Sequence, residues 1–234
     1  MSLTEGVLVR GLVLLCGGAE LGFQLPEGAE AEKVPARPGK ADVDRLLTSG
    51  PQRLVVVGQD GDLAAVALRL LRKDRLGDIA VGYVPTAHSE IAQLWGLPRE
   101  TSAAFDTAWS AEPRDVPLIR DDAGGVLLGL GVVRKPRGVA YCDDTEALRG
   151  EAELLEVRPD PRAGSDTSSS GLSVTITRGR LLKRRTRLAG RAFQLGGSEV
   201  VPERDGVPCP RPMSRWTWYR HTHDFRLVLP PTPV

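Results

Sequence analysis

The sequence predicts an α/β plus β fold, in which an N-terminal three-layer α/β domain with a mostly parallel sheet precedes a C-terminal β-rich, sandwich-like domain. Short apolar runs alternate with Ala/Leu-rich segments in the first half of the chain, as in parallel strands joined by helices. After about Val116, apolar runs are separated only by short turn sequences, which indicates hairpins. The 234 residues allow one large or two small domains. We predict two, covering residues 1–117 and 118–234.

The first predicted elements are a buried strand at 6–15 and a short helix at 41–50. The strand is an apolar run that ends in a Gly-Gly pair. The helix starts with an Asp-rich turn and ends at Gly50, so that both ends carry capping residues. Residues 25–40 mix proline, glycine and charged residues without periodicity. We therefore predict a loop there.

A strand, helix and strand follow, and two further helices complete the first half. Their predicted ranges are 52–58, 62–77, 78–85, 87–98 and 101–109. Gly77 closes the first of these helices, and Gly96 and Pro98 break the second. Thr101 or Ser102 is the predicted cap of the third.

The second half is predicted to be built from strands. Residues 116–144 contain apolar runs divided by Gly-containing turns, and residues 151–180 contain two strands joined by a Pro/Ser/Gly loop. Residues 191–230 alternate between apolar and polar positions again. The second domain is therefore expected to be β-rich.

Composition predicts a soluble, cytoplasmic protein. The formal net charge is +1, so any argument for an acidic or membrane partner must rest on local patches. Glu5 and Arg10 make the N-terminus unlike a secretory leader, and no run approaches the roughly 18 apolar residues of a spanning helix. Cys16, Cys142 and Cys209 are widely spaced and odd in number, which fits reduced thiols.

The turn at 58–62, Gly-Gln-Asp-Gly-Asp, joins a strand to a helix. Gly58 and Gly61 let a ligand approach the backbone, and the N–H groups at a helix start suit an anion. Asp60 could hold a metal ion or accept a proton. The same residues also fit an ordinary strand-to-helix turn with an acidic N-cap, and the spacing alone leaves both interpretations open.

Three segments in the same order carry a family resemblance. The matching positions are Val55 to Gly58, Asp60 and Gly61; Pro85, Ile91, Ala92, Gly96, Leu97 and Pro98; and the stretches 203–212 and 225–230. From about residue 50 to the end, the chain resembles the diacylglycerol kinase catalytic family, which shares a superfamily with NAD kinases and sphingosine kinases. The resemblance implies a two-domain kinase fold with a nucleotide cleft between the domains.

Several positions depart from the family pattern. Gln59 replaces a glycine and Asp62 replaces a threonine, which brings a second negative charge near any triphosphate. Ser89 and Glu90 replace an Asn-Asp pair, and Val207 replaces the glutamate that the family uses as a candidate base. The family's Asn-Pro segment after the first strand is also missing. We interpret the chain as a degenerate member.

The resemblance implies a lipid kinase-like protein, which would use ATP and Mg²⁺ to phosphorylate a lipid hydroxyl such as that of diacylglycerol, with weak or lost activity. Its implied catalytic residues are Asp60 and Asp205. The nucleotide-binding residues would be Gly58, Gln59, Gly61, Asp62, Thr86 and Ser89, and the magnesium ligands Asp62 and Glu90. The alternative is a non-catalytic pseudoenzyme, which uses the cleft to bind a nucleotide or lipid or pairs with an active kinase. Residues 16–40 are candidates to close over the cleft.

A basic segment, Arg178–Arg191, contains seven basic residues and no acidic one. It could dock transiently on anionic lipid headgroups or contact nucleic acid phosphates. The alternative is a solvated strand face balanced by residues 151–156, which the near-zero net charge favours. We expect no nucleic acid partner, and the sequence is compatible with a homodimer.

Histidines and tryptophans near the C-terminus are a further candidate site. His221 and His223 are predicted to share one strand face, where two histidines can chelate zinc, but no third ligand is identifiable. Trp216 and Trp218 would face the other side and pack in the core. His88, beside the second family-like segment, either contacts a phosphate or faces solvent.

Overall fold

The computed structural model describes residues 11–163, 170–179 and 182–231. Within these ranges the chain forms 18 strands and four helices. The elements of the first half are β1 (Gly11–Cys16), β2 (Ala29–Val34), α1 (Lys40–Leu47), β3 (Arg53–Gly58), α2 (Asp60–Arg72), β4 (Ala80–Pro85), α3 (Glu90–Trp95), α4 (Thr101–Ser110) and β5 (Pro113–Val116).

The elements of the second half are all strands within the described residues. They are β6 (Ile119–Asp121), β7 (Val126–Leu127), β8 (Gly131–Arg134), β9 (Arg137–Cys142), β10 (Thr145–Glu151), β11 (Leu154–Pro159), β12 (Leu172–Arg178), β13 (Arg184–Gly190), β14 (Ala192–Val200), β15 (Glu203–Arg204), β16 (Val207–Pro208), β17 (Met213–Arg220) and β18 (Phe225–Val228).

The first sheet has the strand order β2-β1-β3-β4-β18-β5, and β1 to β4 pair in parallel. Successive side chains of a strand point to opposite faces. On β3, Leu54 and Val56 share a core with apolar residues of α1, α2 and α3. Val55 and Val57 instead pack in a separate cluster with Phe105 of α4. The predicted three-layer α/β arrangement is confirmed.

The prediction of a loop throughout residues 25–40 is wrong, because β2 lies within it. This strand pairs in parallel with β1 at the edge of the first sheet. Only Val34 of its six residues is buried. An edge strand is held by backbone hydrogen bonds on one side and does not need an apolar face. Alanine and glutamate have low strand propensity, so the short Ala-Glu-Ala-Glu alternation gives only a weak strand signal in the sequence.

Both ends of α2 and the cap of α4 are among the helix features that differ from their predicted positions. The helix α2 begins at Asp60 and ends at Arg72, because Asp74 adopts a φ of +56° that takes the chain out of the helix before Gly77. The helix α4 is capped by Glu100, not by Thr101 or Ser102. The Glu100 carboxylate accepts hydrogen bonds from the backbone N–H groups of Ser102 and Ala103 at 3.0 and 2.8 Å.

The second half is a sandwich of two antiparallel sheets. The second sheet has the order β10-β9-β14-β17-β6-β7, and the third has the order β13-β12-β11-β8-β15-β16. Residues of both sheets form one shared core, which contains Phe193, Trp216 and Trp218 from the second sheet and Leu155 and Ile176 from the third. The two tryptophans are almost fully buried, as their predicted packing role requires.

The last described strand returns to the first sheet. β18 pairs in parallel with β4 and antiparallel with β5. The boundary between residues 1–117 and 118–234 stays a prediction, and the chain crosses back from the sandwich after β17. No helix of the described chain combines the length and the apolar content needed to cross a membrane.

Candidate functional site

A cleft of about 730 Å³ lies at the carboxyl edge of the first sheet. Parallel strands deliver their following turns to one edge, where α/β proteins bind ligands. The turns after β1, β2, β3 and β4 line one side, and the β15–β16 turn of the sandwich lines the other. The lining includes residues 16–19, 36–37, 59–62, 86–88, 90 and 205–208. Parts of the 16–40 segment therefore do line the cleft.

Asp60 lies at the start of α2 and cross-links two turns. One carboxylate oxygen accepts hydrogen bonds from the hydroxyls of Tyr83, at 2.9 Å, and Ser89. The other accepts from the backbone N–H groups of Glu90 and Ile91 at 2.8 and 3.3 Å. Burial is the largest cause of a raised pKa for Tyr83, and the negative charge of Asp60 raises it further. This phenol therefore remains a donor to Asp60.

Asp62 fills the turn that precedes α2. It is 4% exposed, and its two oxygens accept from the backbone N–H groups of Arg37 and Gln59 at 2.6 and 2.7 Å. Burial, followed by the Asp62 charge, raises the pKa of Cys16 to about 12. A carboxylate of the chain thus occupies backbone donors that this turn could offer to an anion.

The two glycines of the turn make room for the chain's own atoms. A Cβ on Gly58 would lie 2.4 Å from the Asp62 Oδ2 atom. A Cβ on Gly61 would lie 2.6 Å from the Val207 Cγ2 atom of the β15–β16 turn. Both distances are too short for real contacts, so each glycine permits internal packing here.

Asp205 faces the cleft from the sandwich and is 3% exposed. Its carboxylate accepts from the backbone N–H groups of Leu128, Gly129 and Leu130 at 2.9, 2.8 and 3.0 Å. Burial raises the pKa of Asp205 to about 7, the negative charge of Asp60 adds to this effect, and the three N–H donors oppose it. Asp205 therefore holds the 128–130 loop beside the cleft.

The other predicted nucleotide and metal residues have partners within the protein. Ser89 caps α3 by accepting from the Ala92 N–H at 2.8 Å, and the Thr86 N–H donates to the Gly58 carbonyl at 3.0 Å. Glu90 pairs with Arg158 of β11 at 2.9 Å. Burial raises the pKa of Glu90, but hydrogen bonding and charge from Arg158, and then from His88, leave it below its usual value.

Magnesium does not fit the predicted ligand pair. Across residues 11–163, 170–179 and 182–231, no group of three or more His, Cys, Asp or Glu side chains could hold a metal ion. Mg²⁺ requires near-octahedral oxygen coordination, whereas Asp62 is bound to backbone donors and Glu90 to Arg158. The metal role of these two residues stays a prediction.

A triphosphate also fits poorly. Four carboxylates, those of Asp60, Asp62, Glu90 and Asp205, line the cleft, and Arg37 and His88 are the basic side chains among its described lining residues. His88 is largely exposed and lies 3.3 Å from Glu90. The Asp60 and Asp62 carboxylates therefore place negative charge in the cleft that opposes a polyanion.

Three comparisons with known proteins bear on this arrangement. No protein-family model matches the sequence, and no curated protein matches it. Among solved structures, a diacylglycerol kinase from Bacillus anthracis str. Sterne is similar with a TM-score of 0.72, covering 95% of this chain and 97% of that chain at 12% identity. This chain has the diacylglycerol kinase fold.

An NAD kinase from Archaeoglobus fulgidus, in complex with ATP, shares this fold. Its TM-score is 0.54, with 93% of both chains covered at 11% identity. The expected likeness to the diacylglycerol kinase and NAD kinase superfamily is therefore confirmed at the level of the fold. At identities of 11% and 12%, the likeness concerns the fold alone.

Sequence reasoning did not identify Arg37 or Tyr83 as site residues. Arg37, whose φ is +51°, contributes its backbone N–H to Asp62. Because almost every residue type has a backbone N–H, the sequence does not indicate which one will act as a donor. Tyr83 lies in β4, where its position predicted only a buried strand residue. Its contact with Asp60 depends on the parallel register of β3 and β4.

The predicted histidine pair does not lie on a strand. β17 ends at Arg220, so His221 and His223 lie in the turn before β18. Their rings are 5.7 Å apart, but within the described chain they are not part of a group of three metal-ligating residues. They do not line the cleft.

The pKa of Asp205 predicts that the free energy of unfolding falls as the pH rises toward about 7. The group's ordinary value is 3.8, so between about pH 4 and pH 7 the folded protein retains a proton that the unfolded chain has lost. The resulting slope can reach about 1.4 kcal/mol per pH unit. Urea unfolding of the wild type and Asp205→Asn over this range measures it. A constant difference between the two proteins would contradict the prediction.

Proposed function

We propose that this chain is a diacylglycerol kinase-like protein in which ATP-dependent phosphoryl transfer to a lipid hydroxyl is weak or lost. The observation that carries the proposal is the position of Asp62. Its carboxylate accepts hydrogen bonds from the backbone N–H groups of Arg37, in the loop after β2, and of Gln59, just before α2. A phosphate at the same donors would have to displace a buried negative charge.

Electrostatics supports weak nucleotide binding. Two unit charges 4 Å apart interact by about 4 kcal/mol at an effective dielectric constant near 20. The Asp62 carboxylate alone would therefore offset a substantial share of the binding energy of a nucleotide, since a millimolar dissociation constant corresponds to about 4 kcal/mol. Among the residues that the structure describes, no group of three or more His, Cys, Asp or Glu side chains could hold a compensating divalent cation.

The lack of an available base supports weak phosphoryl transfer. A general base must reach the acceptor hydroxyl and accept its proton. Asp60 already accepts four hydrogen bonds, Asp205 is buried against three backbone donors, and the apolar Val207 packs on Gly61. Within the described site, each candidate carboxylate is engaged in holding the fold.

The test is calorimetric titration of the full chain with ATP in excess Mg²⁺, together with an assay of diacylglycerol phosphorylation in mixed micelles. We expect no binding up to about 1 mM ATP and negligible product. Binding at tenfold lower concentration, with product formation that Asp60→Asn abolishes in a folded protein, would contradict the proposal.

A non-catalytic binding role is the second candidate, and the size of the cleft favours it. Its volume of about 730 Å³ lies within the range of small-molecule sites. An acidic cleft would bind an uncharged or cationic ligand more readily than a polyanion. Adenosine is therefore expected to raise the melting temperature more than ATP at equal concentration. The opposite order would count against this candidate.

A further inference from the structure

The β12–β13 hairpin presents an apolar side chain at a basic tip. Gly179, with a φ of +78°, lies in the connection between the two strands, and Leu182 in the same connection is 91% exposed. Residues 180 and 181 of the predicted basic segment lie outside the described residues. The basic residues that follow Leu182 are exposed, namely Lys183, Arg184, Arg185 and Arg187.

These four charges have no anionic partner within the described chain. None of them has a carboxylate oxygen within 4.0 Å of its side-chain nitrogens. Two of the three acidic residues expected to balance them pair elsewhere, and the third, Glu153, forms no ion pair within the described chain. Glu151 binds Arg137, and Glu156 lies 3.7 Å from Arg158.

The end of the β12–β13 ladder next to the connection is anchored to the sandwich. Arg178 donates to the Thr186 hydroxyl at 3.2 Å and to the Ala147 carbonyl of β10 at 2.8 Å. The β12–β13 ladder is continuous from Leu172 to Arg178, and β13 is an edge strand of its sheet. The described residues that flank the connection are therefore held by the sandwich.

We propose that this hairpin docks the protein on anionic membrane surfaces, with Leu182 entering the interfacial region and the four basic side chains contacting lipid phosphates. Basic residues near an anionic leaflet each strengthen binding about five-fold. An apolar side chain adds a second, charge-independent contribution. The combination predicts weak, reversible attachment that requires both features.

A membrane explains Leu182 better than two other uses of a basic strand. Nucleic acid binding would use the four cations as phosphate contacts, but it would leave an exposed leucine without a role. Charged residues on an edge strand also prevent pairing with other sheets. Protection of an edge strand by charge does not require an apolar residue in the connection.

The test is co-sedimentation of the full chain with vesicles of phosphatidylcholine alone or mixed with phosphatidylserine, without nucleotide. The triple variant Lys183→Gln, Arg184→Gln and Arg185→Gln should weaken binding to the mixed vesicles by about 100-fold at low salt. Leu182→Ser should weaken it by about five-fold and at all salt concentrations. The matched control neutralises three exposed arginines elsewhere, Arg72, Arg99 and Arg211, and should change binding by less than about three-fold.

If the hairpin triple variant and the control triple variant lost vesicle binding equally, the proposal would be overturned. Binding would then follow the net charge of the protein alone. An unchanged Leu182→Ser variant combined with tight binding to a DNA duplex would assign the hairpin to nucleic acid. Self-association of the hairpin variant, with no vesicle binding by the wild type, would assign it to edge protection. Because nucleotide is omitted, these outcomes do not depend on the proposed function of the cleft.

Discussion

Replacing Asp62 with threonine is expected to give the protein measurable affinity for ATP and Mg²⁺. The change removes the carboxylate that holds the backbone N–H groups of Arg37 and Gln59 and takes one negative charge from the cleft. Removing a like charge near the phosphates is worth about 1 to 4 kcal/mol. We therefore expect calorimetry to show binding strengthened by at least about five-fold, since each ten-fold change corresponds to about 1.4 kcal/mol.

Asp42→Thr is the matched control for this experiment. Asp42 has a similar capping role in α1, where it accepts from the Gly39 N–H at 2.8 Å, but it does not line the cleft. Both variants should lose about 1 kcal/mol of stability through the lost cap, and only Asp62→Thr should change the affinity for ATP. A folded Asp62→Thr protein with unchanged affinity would show that this carboxylate is not what excludes the nucleotide.

Replacing Asp60 with alanine is expected to cause the largest loss of stability among the single changes considered. The change removes the acceptor of four hydrogen bonds. Their donors are the hydroxyls of Tyr83 and Ser89 and the backbone N–H groups of Glu90 and Ile91. Unsatisfied buried donors cost about 1 to 3 kcal/mol each, and water entering from the cleft recovers part of this. We expect a loss of about 3 kcal/mol, which lowers the melting temperature by about 10 °C.

Thermal unfolding followed by circular dichroism measures this loss, and Asp106→Ala is the control. Asp106 is an exposed residue of α4, so its replacement should change stability by less than about 0.5 kcal/mol. If Asp60→Ala melts within about 2 °C of the wild type, Asp60 does not cross-link the two turns as its contacts indicate. It would then be free for chemistry.

Most of the fold was predictable because it follows from local patterns. The apolar run from Leu54 to Val57, with neighbours on both faces, could belong only to a strand buried on both sides. Parallel pairing of such strands then brings their following turns to one edge. For this reason Asp60 and Thr86 line one cleft. Asp205 reaches the same cleft from the β15–β16 turn of the sandwich, a position that only the family resemblance implied.

The partners of the site's carboxylates were not predictable in the same way. The donors to Asp62 and Asp205 are backbone N–H groups, which every residue except proline possesses. Sequence therefore carries no signal for them. β2 is a related case. Its alternating alanines and glutamates have low strand propensity, and they form an edge strand through backbone pairing.

Hydrophobic periodicity and turn chemistry act over a few neighbouring positions, so they were enough to predict the alternation of strands and helices, the β-rich second half and the residues of the turns. The roles of those turn residues depend on contacts between distant segments. The loop that carries Arg37, the strand that carries Tyr83 and the sandwich turn that carries Val207 meet the 58–62 turn across long stretches of chain. Those contacts make Asp60 a cross-link and Asp62 an internal anion.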